Sequence, residues 1–198
     1  MTPLGNKQKS AEFESPVLEV IQQRRSRRAY ADKPVEQEKI NSLFEAARWA
    51  PSSVNEQPWI YLYATKDQPE LYNKIFESLN ESNKIWAKHA PLLIVSLIRK
   101  TYSRNDLPNL SARYDLGAAN ALLSLQAAHH ELNVHQMGGF SADILRTNLN
   151  IPAQYEAVVV MAVGYLGDVQ LLPEHLKVRE LAPRERYVRQ EFVMNKTF

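Results

Sequence analysis

Residues 111–132 place the tightest constraint on this chain. Ala118, Ala119, Ala121, Leu122, Leu123, Leu125, Ala127 and Ala128 follow one another with almost no polar interruption. A helix that is apolar nearly all round has to be covered on every side. In a chain of 198 residues, one core hardly supplies that much cover. The pattern therefore predicts a long central helix whose remaining face is buried against a second copy of the chain, as a symmetric dimer would do.

Around that helix the periodicity alternates between helix and strand. Residues 36–50 carry Ile40, Leu43, Phe44 and Ala47 at helical spacing, and Pro51 ends the helix because it lacks an N–H and disfavours helix at Ala50. Residues 59–64 are aromatic and β-branched, and 90–98 and 156–166 are near-continuous apolar runs, which predicts three strands, the last two buried. A further short strand is expected near Val134. Surface helices are expected over 68–79 and 81–89, and Ser141 reads as the cap of another reaching Leu149. Ser15, with Pro16 and Glu19 after it, reads as the start of a helix ending near Arg25 or Ser26. Together these predict one α+β domain over 15–198, a mixed sheet of about four or five strands flanked by helices, preceded by a loose tail over 1–14.

Two stretches stand out from this scaffold. The first joins the 36–50 helix to the first of the three strands. It holds two prolines (Pro51, Pro58), two hydroxyls (Ser52, Ser53) and two carboxamides (Asn55, Gln57). Short groups that both donate and accept suit the edge of a flat heterocycle; an ordinary capped turn has the same composition. The second is Arg24-Arg25-Ser26-Arg27-Arg28-Ala29-Tyr30, with four arginines in five residues. Guanidinium forks match phosphate oxygens, although a solvated basic face is the commoner origin of such a run. A nucleic-acid patch fits poorly, because the net charge is only +2 and no aromatic platform is interleaved.

Taken in order, the two stretches resemble the nitroreductase family of FMN-dependent oxidoreductases. That family carries an Arg-Arg-Ser-x-(Arg/Lys)-x-aromatic motif followed by Pro-Ser-Ser-x-Asn-x-Gln-Pro-Trp, and the similarity continues to the C-terminus, where 158–166 has the family's Val-Gly-Tyr strand end. The resemblance implies a dimer with FMN at the subunit interface. Arg24, Arg25 and Ser26 would meet its phosphate and ribityl chain, and Arg28 its pyrimidine ring. Pro51, Ser52, Ser53, Asn55 and Gln57 would approach from the other subunit. Asn83 matches a position that often offers a side chain to the ring, and Gly138 and Gly139 a loop whose backbone faces flavin N5. Arg184 and Arg186 match the family's C-terminal basic pair. Val188 departs from the pattern, where proline is frequent, and Lys177 and Arg179 are the competing pair at the same spacing. Arg27 has no match and is expected to be solvated.

The implied activity is transfer of reducing equivalents from NADH or NADPH through FMN to nitroaromatic or quinone-type acceptors, in a ping-pong cycle. No catalytic side chain is implied, because the cofactor carries the hydride chemistry. A flavin-binding protein without turnover would share these motifs. The rest of the chain adds bounds. It has no cysteine, so no disulfide or thiolate chemistry. His129, His130 and His135 do not make a metal pattern, since neighbours on a helix point about 100° apart. No apolar run is long enough to span a bilayer, and a cytoplasmic protein is expected. Residues 102–110 read as a polar loop over the site.

Overall fold

The computed structural model describes residues 8–197; the first seven residues of the expected tail lie outside them. The remainder of that tail includes strand β1 (Lys9–Ser10), which pairs antiparallel with β6 (Arg186–Tyr187) near the other end of the chain. Helix α1 (Glu19–Gln23) is one turn long and starts after Leu18 rather than Ser15. None of its residues is buried, and a helix without a packed face has little to extend it.

The central sheet has four strands in the order β2 (Trp59–Thr65), β3 (Leu92–Arg99), β5 (Tyr155–Tyr165) and β4 (Leu132–Met137). All three ladders are antiparallel. The α+β class is thus as expected, whereas the sheet within one chain is antiparallel rather than mixed. Strand β3 lies in the middle and is buried on both faces, which explains its unbroken apolar sequence. Leu93, Val95 and Leu97 face one layer with Ile75, Trp86 and Leu145. These come from α3 (Pro69–Phe76), α4 (Glu81–Ala87) and α6 (Ala142–Leu149). Leu92 and Ile94 face the opposite layer, with Ile40, Leu43 and Ala47 of α2 (Gln37–Arg48) and Ala119, Leu123 and Ala127 of α5 (Ala112–His129). Side chains alternate across a strand, so one run of eight residues serves both layers.

Helix α5 stops three residues short of the expected end. His130 caps it, Glu131 turns the chain at φ 60°, and Leu132 opens β4. It is also less uniform than its composition suggests. Ala112, Leu116, Ala119, Leu123 and Ala127 are fully buried, beside a buried polar chain. In that chain Tyr61 Oη donates to Asn120 Oδ1 at 2.9 Å, and Asn120 Nδ2 donates to Ser96 Oγ at 3.2 Å. The opposite face is open: Tyr114 is 84% exposed, and Gly117 and Ala121 are exposed as well.

A further helix, α7 (Glu174–Leu181), lies in the basic, aromatic stretch from Leu171 onward, where the sequence singled out no helix. Pro173 immediately precedes it and Glu174 occupies its first turn, a start signal that the aromatic, basic composition of the tail obscured. No helix among the described residues is long and apolar enough to cross a membrane.

Candidate cofactor site

The arginine stretch is docked on the end of β5. Tyr30 is buried, and its hydroxyl donates to the Ala162 carbonyl at 2.9 Å. Gly167 N–H donates to Ala29 O at 3.1 Å, and Ala31 N–H to Tyr165 O at 3.0 Å. A Cβ on Gly167 would sit 2.3 Å from the Tyr30 carbonyl, so close approach, not unusual φ, requires glycine there.

From the other direction comes the segment after α7. Arg184 Nη1 donates to Arg24 O at 2.7 Å, and its Nη2 to Gln22 O. Arg25 Nη2 donates to Ala182 O at 2.8 Å. These contacts bring Arg24, Arg25, Arg184 and Arg186 into one corner. Burial, then the charge of Arg186, lowers the Arg24 pKa from its ordinary value. Burial, then Arg25, Arg24, Arg186 and Arg27, does the same to Arg184. No carboxylate among the described residues forms an ion pair with Arg24, Arg25, Arg184 or Arg186. Their hydrogen bonds go to carbonyls and to the Ser26 hydroxyl, which Arg24 reaches at 3.5 Å. Four guanidiniums held together without a counter-charge form a receptor for a multiply charged oxyanion. Arg24, Arg184 and Arg186 border a pocket of about 400 Å³, walled on its apolar side by Phe13, Ile21 and Phe192. The competing pair stands elsewhere on α7, where Lys177 Nζ is 3.5 Å from Glu174.

Arg28 and Arg27 occupy a different environment. Both pair with Glu180, a buried carboxylate of α7, at 3.8 and 3.9 Å. Arg27 is therefore half-buried and bonded rather than solvated. The Arg28 guanidinium lies 5.9 Å from the centre of the Trp86 ring, and Trp86 stands 4.5 Å from His135. His135 Nδ1–H donates to Arg27 O at 3.0 Å, which fixes the tautomer. Burial first, then the Arg28 charge, lowers the His135 pKa to about 4. The line Arg28–Trp86–His135 thus runs from the arginine corner into β4, whose end carries the glycine pair.

Neither Gly138 nor Gly139 takes a positive φ, contrary to the usual reason for paired glycines. Gly139 is needed for proximity: a Cβ there would lie 2.3 Å from Asn80 Nδ2 and 2.9 Å from Asn83 Nδ2, whereas one on Gly138 would meet nothing. Asn83 Nδ2 donates to Gly139 O at 3.0 Å, and Asn80 N–H to the same oxygen at 3.1 Å. Asn83 thus braces the glycine backbone in this structure. The two glycines open onto a cleft of about 530 Å³ bordered by Asn80, Lys84 and Phe140.

The third group is the 51–57 loop. Ser53 N–H donates to Asp115 Oδ2 on α5 at 3.2 Å, and Gln57 N–H to Ser52 Oγ at 3.0 Å. Glu56 Oε1 accepts the Ser103 N–H at 2.6 Å, tying this loop to the 102–110 loop. Val54, Asn55 and Gln57 all have positive φ, at 48°, 56° and 51°. For a β-branched residue such as Val54 that conformation is strained, by about 1–3 kcal/mol. Among the described residues, no hydrogen bond or ion pair joins this loop to the arginine corner. The Arg28–Trp86–His135 line thus leads from the arginine stretch to the strand that precedes the glycine pair, and the loop shares no such link.

Sequence reasoning missed Glu180, Trp86 and His135 as parts of the site. Only Glu180 left a trace, as a carboxylate four residues after Leu176 on the buried face of α7. The other two contacts depend on how α4 and β4 pack.

Fold and corner together define an α+β protein in which four arginines from two distant segments are clustered beside a pocket. Comparison with known proteins assigns the family. The Nitroreductase family profile matches residues 21–165, and the chain belongs to that family. It is 39% identical over 155 residues to an Archaeoglobus fulgidus protein named "Putative NADH dehydrogenase/NAD(P)H nitroreductase", covering 76% of this chain and 86% of that one. Two other curated relatives, from Methanothermobacter thermautotrophicus and Mycolicibacterium smegmatis, are matched over only 39% and 53% of their lengths. Among solved structures, one described as an oxidoreductase containing FMN superposes with a TM-score of 0.88 at 32% identity, over 100% of this chain and 98% of that one. A Desulfovibrio desulfuricans nitroreductase-type protein in complex with FMN has a TM-score of 0.67 at 27% identity, over 82% and 95%.

Proposed function

We propose that the chain is an FMN-dependent oxidoreductase. It works as a homodimer and passes reducing equivalents from NADH or NADPH to nitroaromatic or quinone-type acceptors. The observation that carries this reading is the corner of four arginines without a carboxylate partner, next to an apolar-walled pocket. The FMN named for two structural relatives and the NAD(P)H named for a sequence relative support it.

Arg24, Arg25, Arg184 and Arg186 hold the phosphate, and Ser26 contributes a hydroxyl. Arg28, steadied by Glu180 and Trp86, places a positive charge toward the ring end. Gly138 and Gly139 present backbone toward the reacting edge, and Asn80 and Asn83 keep that backbone in place. Pro51, Ser52, Ser53, Asn55 and Gln57 complete the site of the partner copy, with the open face of α5 as the spine of the dimer. When bound there, FMN would supply the hydride chemistry between NAD(P)H and the acceptor, in a ping-pong cycle, while these residues bind and orient it.

A visible spectrum of the purified, FMN-supplemented protein tests the reading. The expected result is a yellow dimer that bleaches anaerobically with NADH or NADPH and regains colour with a quinone or nitroaromatic. A protein that takes up no FMN overturns it. A yellow protein that neither coenzyme bleaches is a flavin carrier instead.

A further inference from the structure

The arginine corner is assembled from two segments about 158 residues apart, and its geometry depends on what holds them together. Backbone carbonyls accept four of the cross-contacts: Ala182 O from Arg25, Glu180 O from Arg27 at 3.2 Å, and Arg24 O and Gln22 O from Arg184. The remaining contacts converge on a single carboxylate. Both oxygens of Glu180 lie within reach of the Arg28 N–H, at 3.1 and 3.2 Å, and the same group pairs with the Arg27 and Arg28 guanidiniums. Its side chain is 1% exposed, against 21% and 22% for those two arginines. Of the six arginines at 24, 25, 27, 28, 184 and 186, only these two have a carboxylate partner among the described residues, and it is the same one.

A buried carboxylate beside an anion receptor opposes its ligand through space. Its presence there calls for a compensating role, and the contacts supply one. Six like charges on two separate segments repel one another, and a buried anion between them removes part of that repulsion while fixing the Arg28 backbone. We propose that Glu180 and Arg27 are positioning residues that preorganise Arg24, Arg25, Arg184 and Arg186 for the phosphate without touching it. This rests on the FMN reading above and goes beyond it by giving a role to two residues that have none in the family motif.

The two roles open to Glu180 have opposite signs. If its charge acted only through space, its removal would tighten phosphate binding; if it positions the corner, removal loosens it. Glu180→Gln keeps the size and one acceptor for the Arg28 N–H. FMN and riboflavin are titrated into wild type and variant by flavin fluorescence, with thermal melts recorded in parallel. FMN affinity is expected to fall about tenfold, with riboflavin affinity changed by less than about twofold, because only FMN carries the phosphate. The Arg27→Gln/Glu180→Gln pair should be no weaker than Glu180→Gln alone, since both act through one contact. Unchanged or tighter FMN binding, or an equal loss for riboflavin, overturns the proposal.

If Glu180→Gln does not fold, Arg27→Gln decides alone: a loss of about threefold or more confined to FMN supports it, and no change overturns it. Wild type that binds no FMN refutes the cofactor reading instead. The positioning role is then read from protection against heat by inorganic phosphate. Protection in wild type that the variant lacks supports it, and equal protection or none overturns it.

Discussion

The arginine corner and the 51–57 loop are built by different means. The corner joins residues 22–28 to 180–186 by contacts spanning more than a hundred and fifty positions, several of them half-buried. The loop satisfies itself locally, through Ser52, or reaches only to Asp115 and Ser103, and Val54, Asn55 and Gln57 stay exposed in strained backbone. The corner is complete within one chain. The loop holds a costly conformation at Val54, tied among the described residues only to Asp115 and Ser103 outside itself. Strain of that kind persists where the surroundings over-determine it, and it clusters at ligand clamps and active sites.

The largest effect is expected from removing the second copy. Ala121 lies on the open face of α5, so Ala121→Arg should leave the fold intact, yield a monomer and strip the flavin on a sizing column. Light scattering with flavin absorbance on the same column reads both. A monomer that keeps its flavin would mean that the corner suffices and the loop is idle. Within the corner, Arg186→Ala should weaken FMN binding by about tenfold to a hundredfold, the loss of one charge-assisted contact worth roughly 1.5–3 kcal/mol. Lys177→Ala, already paired with Glu174, should do far less.

Next comes the link between corner and glycines. His135 is held at a pKa of about 4 against 6.5 when free, so the folded chain binds fewer protons than the unfolded one between those values. The stability this represents is present above pH 6.5 and is lost as pH falls through about 4, a change of about 1–3 kcal/mol. Urea melts across that range should flatten in His135→Gln. Gly139→Ala should cost about 1–3 kcal/mol by driving a methyl into Asn80, while Gly138→Ala should stay within about 0.5 kcal/mol; thermal melts of the two distinguish them. The smallest change belongs to the loop. Ser52→Ala removes one exposed bond to the Gln57 N–H and should cost about 1 kcal/mol or less, with a larger effect on flavin retention only if the loop serves the partner's site.

Most of the fold was legible locally. Pro51 ends a helix near Arg48, the aromatic run from Trp59 is a strand, β3 is buried on both faces, and Ser141 Oγ caps α6 by accepting the Ile144 N–H. Each of these follows from periodicity or from one residue's backbone chemistry. The errors lie where packing overrides them. The 15–25 helix shrinks to one turn, with none of its residues buried, and α7 forms where the sequence singled out no helix.

The candidate site divides the same way. Sequence alone singled out Arg24, Arg25, Ser26 and Arg28, the 51–57 loop and the glycine pair, because guanidinium clusters, short polar loops and adjacent glycines carry their chemistry in their residue types. Tertiary structure decided which of them meet. It put Arg184 and Arg186 beside Arg24, paired Arg27 and Arg28 with Glu180, and set the Trp86 ring against His135. It also left the 51–57 loop apart from the corner. Charge, size and hydrogen-bonding capacity belong to a residue wherever it stands. Proximity between residues far apart in the chain exists only once α7 and the sheet end are packed together, and no local pattern encodes it.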